Sequence, residues 1–393
     1  MSNIMFFSIP AHGHTNPTIR VVAELVEKGH RVRYYSFEEF REKIEGAGAE
    51  FVDCAPYQPP APEDLDEKVG KDFASLIEMV VDTTVKMDGM MAKEIEDFKP
   101  DCIVADSVCF WGKLFAQRYH IPFVCSTTTM AFNKYTAKLM KQGFSEMITM
   151  LKGMHRINEK MEVLRNHGYQ VDNFISIIQN DNETNTVVYT TKMFQPMVET
   201  FSEKYCFIGP SISKEAESYS VEQALAEKKQ IYISLGTVLN KNITFYEECV
   251  EALKDMDCRV IISAGKDTDI STMKKVPENF DIQPYVNQLQ VLSATDVFIT
   301  HCGMNSVSES LYMGVPMVLF PQHSEEAAVA TRVEQLKAGF RLKKDNAKHI
   351  KKAVSEVLGN AEYKENARKL MCDFRNSGGA KEAAAFIENV MQR

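Results

Sequence analysis

Residues 4–35 read IMFFSIPAHGHTNPTIRVVAELVEKGHRVRYY, in which two short apolar runs flank an amphipathic segment. The runs at 4–9 and Arg31–Tyr35 have the length of strands. Between them, Pro17–Lys28 predicts a helix, because Asn16 can serve as its N-cap and its apolar residues share one face. A strand, a helix and a second strand in this order predict a parallel α/β sheet.

The same alternation continues through both halves of the chain. In the first half, further strands are predicted at Glu50–Asp53, Cys102–Ala105, Thr186–Thr190 and Tyr205–Ile208, and helices at 38–46, 72–98 and 131–167. In the second half, the predicted strands are Gln230–Leu235, Arg259–Ser263, Phe280–Gln283, Asp296–Thr300 and Pro316–Phe320. Each half therefore predicts a doubly wound sheet of order 3-2-1-4, with ligands binding where strands one and four end side by side.

The length of the chain and a break in its patterning predict two domains. A chain of 393 residues exceeds what one hydrophobic core usually supports. The segment 209–218 is polar and rich in helix-breaking residues, as linkers are. We therefore expect an N-terminal domain at 1–210, a linker at 211–228, a C-terminal domain at 229–376, and a last helix at 377–393 that returns to the first domain.

Composition argues against several classes of protein. The net charge of -9 disfavours nucleic acid and anionic membrane as partners. No window approaches the ~20 apolar residues of a membrane span, and residues 1–9 lack the basic region of a signal peptide. We expect a cytoplasmic protein without stable membrane association. The nine cysteines form no Cys-x-x-Cys pair, and His12 and His14 lack a third ligand nearby, so we expect no metal site.

The strand ends of the second domain carry residues suited to an anion. Strand one ends in Leu235-Gly236-Thr237, and strand four is followed by residues 301–306, His-Cys-Gly-Met-Asn-Ser. Gly236 and Gly303 allow close approach of the backbone, while the donors beside the predicted helix N-terminus favour phosphate, namely Thr237, His301, Asn305 and Ser306. The alternative for Ser306 and Glu309 alone is a capping box. The convergence of these residues at neighbouring strand ends favours the anion site.

A longer spaced pattern surrounds this site. It begins with Tyr285-Val286-Asn287-Gln288, passes through 301–306 and Glu309, continues with Gly314-Val315-Pro316 and Pro321-Gln322, and closes with Glu325-Glu326. The pattern resembles the donor-binding box of the UDP-glycosyltransferases (glycosyltransferase family 1), and the whole chain resembles their bacterial macrolide glycosyltransferase branch. The resemblance implies the GT-B fold, two Rossmann-like doubly wound α/β domains facing across a cleft, of which the second binds the nucleotide sugar.

The resemblance also implies roles for these residues. Tyr285 would stack on uracil, Val286 would bond it through the backbone, and Glu309 would hold the ribose hydroxyls. The diphosphate would be held by His301, Asn305, Ser306 and Thr237, and sugar hydroxyls by Glu325 and Glu326. Gly236, Gly303 and Gln288 complete this donor site. The sequence departs from the family where Tyr285 replaces the usual Trp, Asn287 the usual Pro and Glu326 the usual Gln.

A second constellation lies in the first domain. The segment 11–17, AHGHTNP, follows strand one, and Asp106 ends strand four, so strand order predicts that they are neighbours. In the family the second His of this motif, here His14, is the catalytic base, and an Asp matching Asp106 orients it. Gly13 is expected near the sugar or the acceptor, and so is the hydroxyl segment Ser126-Thr127-Thr128, which is expected to follow strand five of the first domain.

These expectations define a reaction. His14 would deprotonate an acceptor hydroxyl that attacks the anomeric carbon with inversion. The helix dipole and hydrogen-bond donors of the second domain would stabilise the departing UDP, so no metal or other cofactor is required. We expect transfer of a hexose, with glucose first, from a UDP-sugar to a small apolar acceptor of flavonoid, phenolic, macrolide or steroid type, in a Met-rich pocket drawn from 73–91 and 111–161. The alternatives are a UDP-sugar epimerase and a non-catalytic nucleotide-sugar-binding protein.

Overall fold

The structure is a computed structural model that describes residues 1–57, 73–136, 144–178, 180, 182–212, 228–236, 242–266, 268–273 and 276–392. The chain divides into two compact units. The first comprises Met1–Ser211 and Gly378–Arg393, and the second comprises Ile212–Ser377. Each unit has a parallel sheet with helices, so the predicted α/β class is confirmed.

The sheet of the first unit follows the predicted winding. Its strands are β1 (Asn3–Phe7), β2 (Arg31–Ser36), β3 (Glu50–Asp53), β4 (Cys102–Asp106), β5 (Phe123–Thr127), β6 (Thr186–Val188) and β7 (Tyr205–Phe207). Among the described residues they pair in parallel in the order β3-β2-β1-β4-β5-β6-β7. Ile4 pairs with Cys102 and Phe7 with Ala105. The carboxyl ends of β1 and β4 therefore lie side by side.

Helices cover this sheet and bury their apolar faces on it. They are α1 (His12–Glu27), α2 (Arg41–Gly46), α3 (Phe73–Phe98), α4 (Phe110–Tyr119), α5 (Phe144–Asn166) and α6 (Phe174–Ile178). In α1, Val21, Val22 and Leu25 are buried in the core, and each such side chain stabilises the fold by about 1.5–3 kcal/mol. In the sheet, Phe6 stacks on Tyr34 with ring centroids 4.9 Å apart.

Helix α1 begins earlier than the sequence pattern predicts. The predicted start was Pro17 with Asn16 as cap, whereas the helix starts at His12 and contains Pro17. The carbonyl of Ala11 accepts the amide hydrogen of His14 at 3.0 Å, which closes the first turn. A proline inside a helix costs one backbone hydrogen bond, and the turn before it is already formed here. His14 is consequently carried by a helix rather than by a loop.

The second unit repeats the architecture. Its strands are β8 (Lys229–Ser234), β9 (Cys258–Ser263), β10 (Phe280–Gln283), β11 (Val297–Thr300), β12 (Met317–Leu319) and β13 (Gly339–Arg341). Their parallel order among the described residues is β10-β9-β8-β11-β12-β13. The helices are α7 (Ile243–Leu253), α8 (Gln288–Ser293), α9 (Met304–Tyr312), α10 (Ser324–Gln335), α11 (Ala347–Gly359) and α12 (Ala361–Arg375). Ser234 pairs with Thr300, so the ends of β8 and β11 adjoin.

The last helix, α13 (Gly379–Met391), belongs to the first unit. It buries Ala383, Ala384 and Ile387 in that unit's core. Glu388 forms ion pairs with Lys28 and with His30, the latter at 3.0 Å. These contacts fasten α13 beside α1, the helix that carries His14.

Among the described residues, no helix is both long and apolar enough to cross a bilayer. No three His, Cys, Asp or Glu side chains in that part of the chain are grouped as metal ligands would be.

Candidate active site

His14 and Asp106 form a hydrogen-bonded pair at the carboxyl edge of the first sheet. His14 lies in the first turn of α1, and Asp106 is the last residue of β4. The Nδ1 atom of His14 is 2.8 Å from Oδ2 of Asp106. The carboxylate is fully buried, whereas 25% of the His14 side chain is exposed. The strand order thus brings these two side chains into contact and leaves part of the imidazole exposed.

The surroundings of Asp106 decide which nitrogen of His14 carries the proton. The other carboxylate oxygen, Oδ1, accepts the amide hydrogen of Val108 at 2.8 Å. Because a carboxylate only accepts hydrogen bonds, Nδ1 of His14 is the protonated nitrogen and donates to Asp106. Nε2 then carries the lone pair, which is the state that a general base requires.

The hydroxyl segment expected near the sugar lies differently from its prediction. Ser126 and Thr127 are the last residues of β5 rather than residues that follow it. Both are buried, and Ser126 Oγ donates to the hydroxyl of Tyr189 at 3.2 Å. Three hydroxyl residues in a row gave no signal of where the strand ends, because Ser and Thr are common in both strands and turns.

Thr128 is the residue of this segment that reaches the pair. Its Oγ1 atom lies 3.4 Å from Nδ1 of His14, on a nitrogen already bonded to Asp106. The sequence placed Thr128 in the segment expected near the sugar, but it did not predict this contact with His14. Gly13, by contrast, is exposed beside His14 in the first turn of α1.

In the second unit, the loops after β8 and β11 meet around the imidazole of His301. A Cβ atom on Gly236 would lie 2.5 Å from His301 Nε2, and one on Gly303 would lie 2.5 Å from the same atom. Gly236 also has a φ of +79°, so glycine is required there twice over. Burial lowers the pKa of His301 to about 4, so the ring is neutral and offers one N–H donor. Asn305 follows in α9, while Thr237 lies outside the described residues.

Helix α9 starts at Met304 with Gly303 as its N-cap, so the capping-box interpretation of Ser306 and Glu309 is wrong. Cys302 has a φ of +73°, and this left-handed residue turns the chain into the helix early. Ser306 is therefore the third helical residue. The first N–H groups of a helix have no carbonyl partner within it, and the dipole is positive there, so this end favours an anion.

Glu309 is a partly buried carboxylate held by a neighbouring amide. Gln288 Nε2 donates to Glu309 Oε2 at 2.7 Å and to Ser306 Oγ at 3.3 Å. Burial raises the pKa of Glu309 to about 7, and the hydrogen bond from Gln288 opposes that rise. The ionised carboxylate retains lone pairs that can accept hydrogen bonds from vicinal hydroxyl groups.

The loop between β10 and α8 presents an aromatic ring. Tyr285 is 71% exposed, as a ring that stacks on a planar base must be before the base binds. Val286 is partly buried behind it. Asn287 is the N-cap of α8, and its side chain accepts the amide hydrogen of Gln290 at 3.2 Å. The cap anchors this loop where the family has a proline.

The two closing acidic residues differ in their surroundings. Glu325 is exposed. Glu326 Oε2 accepts the amide hydrogens of Gln322 at 2.7 Å and His323 at 3.2 Å, and burial raises its pKa. A carboxylate in the first turn commonly binds the backbone before the helix. Glu326 thus fastens the loop ahead of α10, a role that the sequence did not reveal, and its contact with sugar hydroxyls stays a prediction.

The chain is similar to known proteins along its whole length. Residues 184–391 match the family described as UDP-glucoronosyl and UDP-glucosyl transferase. The chain belongs to the UDP-glycosyltransferase family. NDP-glycosyltransferase YjiC of Bacillus subtilis (strain 168) is 32% identical, over 100% of this chain and 98% of that protein. Demethyllactenocin mycarosyltransferase of Streptomyces fradiae is 27% identical, over 100% and 87%.

A solved structure confirms the fold. The crystal structure of the glycotransferase of kitacinnamycin has a TM-score of 0.85 and 25% identity to this chain, and the match covers 99% of each. The GT-B fold and the macrolide-glycosyltransferase-like branch expected from the sequence are therefore confirmed. As a member of the UDP-glycosyltransferases, the chain is a glycosyltransferase, which removes the epimerase alternative.

Gly303 provides a test of the anion site in this glycosyltransferase. In Gly303→Ala the new Cβ would displace the His301 ring from its place beside α9, so we expect UDP affinity to fall at least about tenfold. Isothermal titration calorimetry with UDP measures the change. Gly359→Ala is the matched control, because no heavy atom lies within 4 Å of its added Cβ. Unchanged UDP affinity in Gly303→Ala would remove His301 and Gly303 from the site.

Proposed function

We propose that the protein transfers a hexose, with glucose the expected one, from a UDP-sugar to a hydroxyl of a small apolar or aromatic acceptor, with inversion and with His14 as base. The assignment of His14 as the catalytic base is supported by the 2.8 Å contact between His14 Nδ1 and Asp106 Oδ2. That contact leaves Nε2 of an exposed ring face able to accept a proton.

The proposed step balances without a cofactor. His14 Nε2 takes the acceptor's hydroxyl proton while that oxygen forms a bond to the anomeric carbon. The bond from this carbon to the diphosphate breaks on the opposite face, so an α-linked donor gives a β-linked product. Asp106 stabilises the imidazolium that results. UDP leaves with the bonding electron pair, and the start of α9 together with the neutral His301 ring stabilises its charge.

The donor assignment draws on the second unit. The exposed ring of Tyr285 suits stacking on uracil, and the Glu309 carboxylate suits the two ribose hydroxyls. Relatives named as UDP-glucosyltransferases support UDP as the nucleotide of the donor and glucose as its sugar. We propose that no metal takes part.

The acceptor class rests on narrower support. Met87, Met91, Phe115 and Met161 lie in the first unit's core. Residues 137–143 of the Met-rich segment lie outside the described residues, and the permissive acceptor pocket stays a proposal. A small apolar hydroxyl compound remains our proposal because relatives include oleandomycin glycosyltransferase of Streptomyces antibioticus.

One incubation tests the proposed reaction. The protein is mixed with UDP-glucose and a panel of phenolic, steroid and macrolide acceptors, with and without EDTA, and the products are read by mass spectrometry. We expect UDP release matched by glycoside at equal rates in both conditions. UDP release without glycoside would indicate hydrolysis, and UDP binding without turnover of any acceptor would favour the non-catalytic alternative.

Donor binding is expected to depend on pH through Glu309. Burial raises the pKa of this carboxyl from 4.5 to about 7, so it is protonated below that pH and ionised above it. An ionised acceptor binds hydroxyl groups more strongly, so UDP-glucose affinity should rise about fivefold from pH 6 to pH 8. His301, with its pKa near 4, does not titrate in that range. Calorimetry at several pH values measures this.

Glu309→Gln is the control for that dependence, because its amide does not titrate. Its UDP-glucose affinity should be flat between pH 6 and pH 8. In the wild-type protein, the raised pKa of Glu309 lowers the free energy of unfolding as pH rises from 4.5 through about 7. This contribution to the pH dependence of stability should be absent from Glu309→Gln. An equal pH dependence in the variant would assign the effect to another group.

A further inference from the structure

Tyr232 lies behind the donor site and belongs to none of the motifs described above. It sits in the middle of β8 and is 1% exposed. Its ring stacks on Phe298 of β11, with centroids 4.7 Å apart. Its hydroxyl donates to Oε1 of Gln288 at 3.2 Å. The hydroxyl of this buried tyrosine is thus hydrogen-bonded to a side chain of the proposed donor site.

The amide of Gln288 links this hydroxyl to the carboxylate of Glu309. Its oxygen accepts from Tyr232, while its nitrogen donates to Glu309 at 2.7 Å and to Ser306 at 3.3 Å. The two ends of an amide have opposite hydrogen-bonding character. If the amide rotated by half a turn, its oxygen would face an acceptor oxygen of the ionised Glu309 carboxylate. The Tyr232 hydroxyl would at the same time lose the oxygen to which it now donates and could only accept from the amide nitrogen. The observed orientation is the one in which both partners of the amide are satisfied.

We propose that Tyr232 is a positioning residue for the sugar nucleotide: its buried hydroxyl orients the Gln288 amide, which in turn orients and holds the Glu309 carboxylate that receives the ribose. The inference rests on the proposed donor site and adds to it a buried residue that acts through Gln288. Tyr232 acts on binding of the donor and has no part in the proton transfer at His14.

The test compares two conservative variants of the second unit. Tyr232→Phe keeps the stacked ring and removes only the hydroxyl. Tyr246→Phe makes the same change at another fully buried tyrosine whose hydroxyl bonds to none of Gln288, Ser306 and Glu309. We expect Tyr232→Phe to raise the Kd for UDP and the KM for UDP-glucose about 3- to 10-fold, with kcat within twofold. Tyr246→Phe should change neither by more than twofold.

A double-mutant cycle separates positioning from a general loss of stability. Because Tyr232 acts through Gln288, adding Tyr232→Phe to Gln288→Leu should leave the Kd for UDP where the single Gln288→Leu variant puts it. The pH profile gives a second readout. The hydrogen bond from Gln288 holds down the pKa of Glu309, so Tyr232→Phe should move the pH midpoint of UDP-glucose affinity upward.

The outcomes distinguish this inference from the function on which it rests. Wild-type affinity in Tyr232→Phe, a loss equal to that in Tyr246→Phe, or full additivity with Gln288→Leu would overturn the positioning role. So would a fall in kcat at unchanged KM. Failure of the donor site itself would show as no UDP binding by the wild-type protein.

Discussion

Replacing His14 with alanine is expected to lower kcat for glycosyl transfer by about 10²–10⁴-fold, while the affinity for UDP stays within twofold of wild type. The side chain removed is the one whose Nε2 accepts the acceptor's proton, and it lies in the first unit, whereas the residues assigned to UDP lie in the second. Initial rates at saturating donor and acceptor, together with UDP calorimetry, measure the two quantities.

His12→Ala is the matched control for this variant. His12 occupies the same turn of α1, but its ring packs edge-on against Phe40 with ring centroids 5.0 Å apart, whereas it is His14 that bonds to Asp106. Its removal should leave kcat within a few-fold of wild type. Equal losses in both variants would point to damage of the helix start. A parallel loss of UDP affinity in His14→Ala would refute its assignment as the acceptor's base.

Asp106→Asn is expected to lower kcat about 10³–10⁴-fold, in the upper part of the range expected for loss of the base itself. The reason lies in the second hydrogen bond of Asp106. Its Oδ1 atom accepts from the Val108 amide at 2.8 Å, so an asparagine must keep its oxygen there and turn its NH2 group toward His14. That group donates to Nδ1, which forces the ring proton onto Nε2. Nε2 of His14 then carries a proton and has no lone pair with which to accept the proton of the acceptor hydroxyl.

The Asp106→Ala variant tests this explanation against simple loss of charge. Alanine leaves both tautomers of His14 available, so Asp106→Ala should be at least as active as Asp106→Asn, although it loses the stabilised imidazolium. Rates of the two variants at saturating substrates, with thermal unfolding as a check on the fold, measure the difference. A markedly faster Asn variant would show that orientation of the ring, rather than its tautomer, is what Asp106 supplies.

The sequence predicted those parts of the fold that follow from pattern and winding rules. Strand positions were recovered to within about two residues, and the order 3-2-1-4 placed Asp106 next to the segment of His14 without any coordinates. The strand β13, which reads Gly-Phe-Arg, was missed because a single large apolar residue does not make the apolar run by which the other short strands were recognised.

Helix starts were predicted less well, because they depend on backbone conformations that the residue types do not encode. Asn16 and Pro17 are strong local signals for a helix start, yet the extended Ala11 is the N-cap and α1 begins at His12, five residues before the predicted start. At α9, the left-handed Cys302 did the same, although cysteine has no preference for that region. The role of Glu326 was not predicted for a related reason, since its partners are backbone amides that come within reach of its carboxylate only once the loop is folded.

The first unit is assembled from two stretches of chain, Met1–Ser211 and Gly378–Arg393, that flank the whole second unit. Translation therefore delivers the helix that packs beside α1 only after residues 212–377 have been made, on the order of ten to thirty seconds after Ser211 at usual rates. Until then the apolar strip that Ala383, Ala384 and Ile387 later cover stays open to water or to chaperones. The nascent protein consequently completes its second unit first, and the unit that carries His14 last.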